Sequence, residues 1–213
     1  MRVSAKKSPR PSPRETITKA ANIILDVAER LAQTRGYNGF SYADIAANLG
    51  VTKASLHYHF PSKAELGRAL IARYQGVFAA ALEDIDRRTA EPSKKLRRYV
   101  ALYDAVIRDS RMCLCGMLAA EYATHPASMQ EGLKGFFDLN ERWLTAVLQE
   151  GRRSGSFAFK ESANERARVM VGTLEGAMLV AWSYGDSRRF RAAAEHLLAD
   201  CSAREPLRQA EAV

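Results

Sequence analysis

Apolar positions in this chain recur at steps of three and four, with no sustained alternation at a step of two. That period belongs to helices packed by one face, so the expectation is an all-α protein without strands. The first stripe is Ile17, Ala20, Ala21, Ile24, Leu25, Ala28 and Leu31, opened by Ser12-Pro13-Arg14-Glu15 and stopped by Gly36. Ser before Pro at the first helical position, with Glu close behind, is a helix-start signal. Leu66, Ala69, Leu70, Tyr74, Val77, Phe78, Ala81 and Leu82 predict one unbroken helix from Lys63 to about Arg88. Further stripes predict helices from Lys94 to about Asp109, from Ala127 to Ser154, over 163–184 and from Ser187 to about Cys201. The short segment from Arg111 to Tyr122 is apolar nearly all round, which marks it as buried.

The densest punctuation lies between the first helix and the long one, in FSYADIAANLGVTKASLHYHFPSKAEL. Ser41 caps a short helix with Asp44 three residues on. Gly50 follows it, where a left-handed residue is needed, and Val51 is expected to tuck into the turn. Thr52 caps a second helix from Lys53 to about His59. Leu56 and Phe60 face inward there, leaving Lys53, Ser55, His57 and Tyr58 outward. Pro61 ends it, and Ser62 with Glu65 opens the long helix. Two short helices around a glycine turn, the second with small, hydroxyl, basic and aromatic residues outward, make a helix-turn-helix. Its second helix is slim enough for the major groove, while basic side chains around it reach phosphates.

The run Thr52-Lys53-Ala54-Ser55-Leu56-His57-Tyr58-His59-Phe60-Pro61-Ser62-Lys63-Ala64-Glu65-Leu66 resembles the signature of the TetR family of bacterial transcriptional regulators. The resemblance extends back to about Thr16, so it covers roughly the first third of the chain. One departure is His57, where the family usually carries Tyr at a phosphate-contacting position; a His donor there is partly pH-dependent. The resemblance implies operator DNA as partner, a homodimer and a helical ligand domain. The candidate DNA-facing set is Ser41, Tyr42, Thr52, Lys53, Ala54, Ser55, His57, Tyr58, His59 and Lys63, with Lys63 as a phosphate clamp; Tyr42 also reads as core, filling space beside Tyr37 and Phe40.

Charge agrees with this. The 213 residues carry a net charge of +8, and residues 1–63 hold ten Lys/Arg against four Asp/Glu, so +6 of the +8 sits beside the motif. A basic third around a helix-turn-helix is the footprint of a duplex binder. No apolar run approaches a membrane span, and the N-terminus lacks the apolar core of a secretory signal. Three cysteines without framework spacing fit a reducing cytoplasm. No HExxH, nucleophile elbow or phosphate-binding glycine loop is present; an enzyme, a helical scaffold without DNA binding, a metal and a cofactor all go unsupported.

The expected organisation is a basic arm at 1–11, the helix-turn-helix domain at 12–62, a helical effector and dimerisation domain at 63–204 entered by the continuous long helix, and a frayed tail at 205–213. Gly172, Gly176, Ala177 and Ala181 permit close helix approach, which suits a four-helix interface between two copies. Tyr103, Cys113, Met117, Tyr122, Phe136, Trp143, Met178 and Trp182 form the candidate effector pocket, suited to a small apolar or aromatic molecule that releases a repressor from DNA. The same residues also read as plain core. An alternative is a thiol-based redox or electrophile sensor using Cys113 or Cys115, with Arg108 and Arg111 near enough in sequence to favour a thiolate. Two apart on a helix, the cysteines point about 200° from each other, which argues against zinc.

Overall fold

A computed structural model describes residues 13–202, with side chains from Lys19 onward. The basic arm, the Ser12 cap, the Ile17 side chain and the tail lie outside the described residues. Among the described residues are nine α-helices and one 3₁₀ turn, with no strand beyond a single bridge between Phe157 and Ser202. The helices are α1 (Pro13–Arg35), α2 (Tyr42–Leu49), α3 (Lys53–His59), α4 (Lys63–Arg88), α5 (Pro92–Arg108), α6 (Leu114–Ala120), α7 (Ala127–Arg153), α8 (Ala163–Tyr184) and α9 (Ser187–Cys201), the turn being Tyr122–Thr124. No helix among them is long and apolar enough to cross a membrane.

Helix ends fall where capping chemistry puts them. The Ser41 amide donates to the Asp44 carboxylate at 2.8 Å, and Gly50 ends α2 with φ 67°. Thr52 accepts from the Ser55 amide, Ser62 from the Glu65 amide, and Ser162 pairs with Glu165 in a full capping box. Such caps contribute about 1 kcal/mol each. α5 begins at Pro92, two residues before the sequence pattern suggested, because Pro is well suited to a first turn whose amides have no helical partner.

α1, α2 and α3 pack around Ile24, Leu25, Ala28, Leu31, Phe40, Ile45, Leu56 and Phe60. α4 leaves this head without a break and enters a second bundle, where it packs on α5 and α7, while α8 packs on α7 and α9. The bundle centre is aromatic. Phe78 sits edge-on to Phe136, Tyr99 and Tyr103, with centroids 5.2–6.1 Å apart. Fully burying a residue such as Phe136 stabilises the bundle by about 1.5–3 kcal/mol.

One face of α8 is left open. Val169, Leu179, Val180 and Tyr184 are exposed, and a Cβ added at Gly172 or Gly176 would meet nothing within 4 Å.

Candidate DNA interface and regulatory core

The surface of α3 is the expected one. Thr52, Lys53, Ala54, Ser55, His57 and Tyr58 are exposed, Tyr58 at 72 %, while Leu56 is buried and anchors the helix. His59 is half-buried, with its ring edge-on to Tyr58 at 5.2 Å. Ser41 is exposed at the start of α2, beside a shallow hollow shared by Ala43, Lys53, His57 and Lys63.

Of the two readings of Tyr42, core filler and phosphate contact, the structure takes the first, and the expectation for Val51 is corrected. Tyr42 points inward: it is buried, and its hydroxyl donates to the Phe60 carbonyl at 2.7 Å, tying α2 to the end of α3. Its ring then supports His57, whose centroid lies 4.6 Å away. Val51 does not tuck into the turn; it is 42 % exposed, because its amide returns to the Ala46 carbonyl and leaves the side chain outside.

His57 and Lys63 are already engaged. His57 Nδ1 lies 3.1 Å from the Pro61 carbonyl oxygen. With the proton on Nδ1, the neutral ring offers Nε2 only as an acceptor, so a phosphate contact through Nε2 requires the imidazolium. The Lys63 ammonium donates to the carbonyls of Tyr37 and Phe40 at 2.6 and 2.5 Å and lies 4.6 Å from both ring centres. Burial holds its pKa below the usual lysine value, against the pull of Glu121 and Asp44. It pins the loop after α1, which leaves one N–H for an external anion.

That loop is held from its other side by α6. Glu121, just past the end of α6, accepts from the amides of Tyr37 and Asn38 at 2.9 and 3.1 Å. The Asn38 side chain donates to Thr124 at 2.9 Å. Gly36 has φ 80°, and any Cβ there would fall 2.7 Å from Glu121 Oε1. The segment leading into α6 is tied to α1, with the Met112 amide on the Gln33 carbonyl and Arg111 on the Gln33 side chain. Arg73 of α4 bridges Asp26 and Glu29 of α1 at 2.7 Å each. Thus α4 and α6 both grip the head.

The candidate effector residues divide. Tyr103, Cys113, Phe136 and Met178 are buried in the bundle. Tyr99, stacked on half-buried Trp143 at 5.5 Å, donates to the buried Asn140 at 2.7 Å, with the Tyr103 hydroxyl 3.2 Å away. Trp143 reaches outward, its indole donating to Asp86 at 2.8 Å. Met117 is half-buried on α6. Trp182 lines an open hollow of about 490 Å³ with Ile107, Ala181 and Gly185. Tyr122 lies in the 3₁₀ turn beside the head, under the Lys134 ammonium.

The grounds for a reactive thiolate are not met. Cys113 and Cys115 are buried, and burial together with the nearby Glu175 carboxylate pushes both thiols well above their usual pKa. Arg111 pairs with Asp109 and Arg108 with Asp104. Cys113 instead accepts the Gly116 amide at the start of α6 and lies 3.8 Å from the Tyr74 hydroxyl.

Sequence reasoning missed Glu121, Asn38 and Glu175. Both carboxylate oxygens of Glu175 are buried without a hydrogen-bond partner, and burial pushes its carboxyl up to about 7. The signal was present: Glu175 is the one charged residue from Val169 to Trp182.

Comparison with known proteins places this geometry. Residues 24–70 match the family described as "Bacterial regulatory proteins, tetR family", and residues 92–196 match "Transcriptional regulator LmrA/YxaF-like, C-terminal domain". A TetR-family regulator of Agrobacterium tumefaciens has a crystal structure similar to this one, with TM-score 0.85 and 33% identity over 88% of this chain and 100% of that one. A TetR regulator of Legionella pneumophila aligns with TM-score 0.78 and 32% identity, over 92% of this chain and 100% of the other. The HTH-type transcriptional regulator LmrA of Bacillus subtilis is 24% identical over 161 residues, 74% of this chain and 83% of LmrA. With an α3 surface of this kind and a helical bundle behind it, the chain belongs to the TetR family of bacterial transcriptional regulators, which bind DNA and are not enzymes.

Proposed function

We propose that this chain is a homodimeric, cytoplasmic repressor that leaves its operator when a small molecule occupies the C-terminal bundle. The observation that carries the reading is the grip of α6 on the head through Glu121, Tyr37 and Asn38. α6 begins at Cys113 and Gly116 inside the bundle and ends on the loop ahead of the reading helices. A ligand that favours a second packing of the bundle displaces α6, and with it the head. Ligand and DNA then oppose each other by one shared coupling factor, typically about 5–150-fold.

Dimerisation supplies the spacing. The open face of α8, with Val169, Gly172, Gly176, Leu179 and Val180, suits a self-complementary contact across a two-fold axis. Two heads about 34 Å apart read one half-site each on one side of the duplex. Lys53, Ser55 and Tyr58 face the DNA, with Thr52, Ala54, His57 and His59 around them and Lys63 behind. The buried thiols leave reversible ligand binding favoured over covalent sensing.

The test is a reporter fused to the promoter of the gene's own transcription unit, in cells with and without the gene. Deletion should raise expression, and a plasmid copy should restore repression while a Lys53→Ala copy does so poorly. A fall in expression on deletion would make the protein an activator and refute the reading.

A further inference from the structure

An open hollow of about 490 Å³ lies where α5 ends and where α8 turns into α9. That volume falls within the usual range for small-molecule sites. Its apolar part comes from two helices. Ile107 of α5 and Trp182 of α8 are half-buried there, beside the buried Ala181. These α8 residues turn toward α5, off the open face that carries Val169, Leu179 and Val180.

The polar part of the wall carries a surplus of positive charge. Arg108 meets Asp104 through Nε at 3.2 Å, and Arg191 lies 3.9 Å from the same carboxylate, so one acid serves two guanidinium groups. Among the described residues Arg108 has no other charged partner, which leaves the Nη1 and Nη2 edge of an exposed side chain for an anion. The acid at the rim, Asp186, is spent on Arg188: it accepts from that guanidinium at 2.8 and 3.1 Å and from that amide at 3.1 Å. Ser187 opens α9 at the same rim, and the start of a helix favours negative charge. A guanidinium edge fits the two oxygens of a carboxylate. An indole beside it suits a flat aromatic ring, stacked or edge-on.

Ser110 is a second sign of use. It lines the hollow with φ 54°, and among the described residues it is the one non-glycine residue in the left-handed region. Glycine would hold that turn without strain; strained backbone of this kind concentrates at ligand sites. The turn is also well placed. Arg111 and Met112 follow at once and hold α1, the Met112 amide on the Gln33 carbonyl and the Arg111 guanidinium on the Gln33 side chain.

We propose that this hollow binds a small aromatic carboxylate, its carboxylate on Arg108 with the Ser110 hydroxyl beside it, its ring against Trp182, Ile107 and Ala181. This deepens the regulator reading above and rests on it: a ligand that draws on Arg108 and Ser110 acts on the turn that leads into α6 and holds α1. The expected effector narrows from apolar or aromatic molecules in general to anionic aromatic ones.

The test is calorimetric titration of the full chain with indole-3-acetate and 1-naphthaleneacetate, and with their neutral amides. Wild type should bind at least one acid at least about fivefold more tightly than the matching amide. Arg108→Gln, at an exposed position that tolerates the change, should lose that preference. Arg108→Lys, which keeps the charge without the fork, should fall between them. Trp182→Leu should weaken acid and amide alike. Equal affinity of acid and amide in wild type, a preference unchanged in Arg108→Gln, or no binding by either series at millimolar concentration would overturn the proposal. Anisotropy of a labelled duplex with the same samples separates the two readings. Duplex affinity should fall when acid saturates wild type; acid bound through Arg108 with duplex affinity unchanged would overturn the effector role. Duplex binding without acid binding removes the site and leaves the regulator. Arg108-dependent acid binding without any duplex binding keeps the site and removes the regulator.

Discussion

Replacing Glu175 with Gln should make the protein more stable at alkaline pH and leave it nearly unchanged in mild acid. Burial pushes the carboxyl from its ordinary 4.5 to about 7, and the Cys113 thiol, close by without hydrogen-bonding geometry, takes back only part of that rise. Between these two values the folded chain holds a proton that the unfolded chain has released. Stability is therefore complete below the lower value and is lost as pH rises through the upper one. The loss is on the order of 2.5 pH units at 1.36 kcal/mol each, so about 3 kcal/mol per protomer by pH 8. Gln keeps the shape of the protonated acid and never ionises, so its variant escapes the loss. The assay is urea unfolding followed by circular dichroism at matched protein concentration, since dimerisation shifts apparent stability. Between pH 5 and pH 8 the wild type should lose roughly 2–3 kcal/mol more than Glu175→Gln, all other titrations cancelling in the difference. Parallel pH profiles would show that Glu175 has a partner or solvent access in solution, and the argument from its burial would fail.

Other substitutions probe the interface and the core. Lys53→Ala should weaken binding to all duplexes alike and lower the salt-dependence slope of log affinity by about 1 for each phosphate that Lys53 neutralises; an unchanged slope would place Lys53 off the backbone. Tyr42→Phe removes the hydroxyl that holds the Phe60 carbonyl and should cost roughly 1 kcal/mol of head stability by chemical denaturation; a loss of DNA affinity without any loss of stability would instead return Tyr42 to the DNA-facing set. Cys113 and Cys115 should react with an aromatic disulfide reagent only as fast as the bundle opens, accelerating in mild urea; fast labelling of the native protein would revive the thiol sensor.

Much of the fold was legible because it is written locally. The caps at Ser41, Thr52 and Ser62 and the glycines at 36 and 50 fix helix ends within a few residues of sequence. The α3 surface was legible for the same reason, since one buried leucine sets the phase of a seven-residue helix. Tyr42 kept two readings because an amphipathic side chain suits either a surface or a core with a carbonyl in reach, and its partner Phe60 is 18 residues away. Glu121 failed because its partners lie more than 80 residues upstream and no helical period points to them. Glu175 was hidden by its own helix. α8 shows small residues on its open face, which drew attention to dimerisation, while the acid turns the other way into the bundle. Which face of a two-sided helix meets which neighbour is decided by tertiary packing.

The central claim is that the bundle holds the DNA head in a binding-competent pose through α6. The direct measurement is fluorescence anisotropy of a labelled duplex from immediately upstream of the gene, titrated with wild type and with Glu121→Ala at one salt concentration. Removing the charged acceptor of two amide hydrogen bonds corresponds to roughly 1.5–3 kcal/mol for each bond if fully expressed, so the account predicts at least a tenfold weaker complex for the variant, with helix content and oligomeric state unchanged. Equal affinity of the two proteins for that duplex would contradict it.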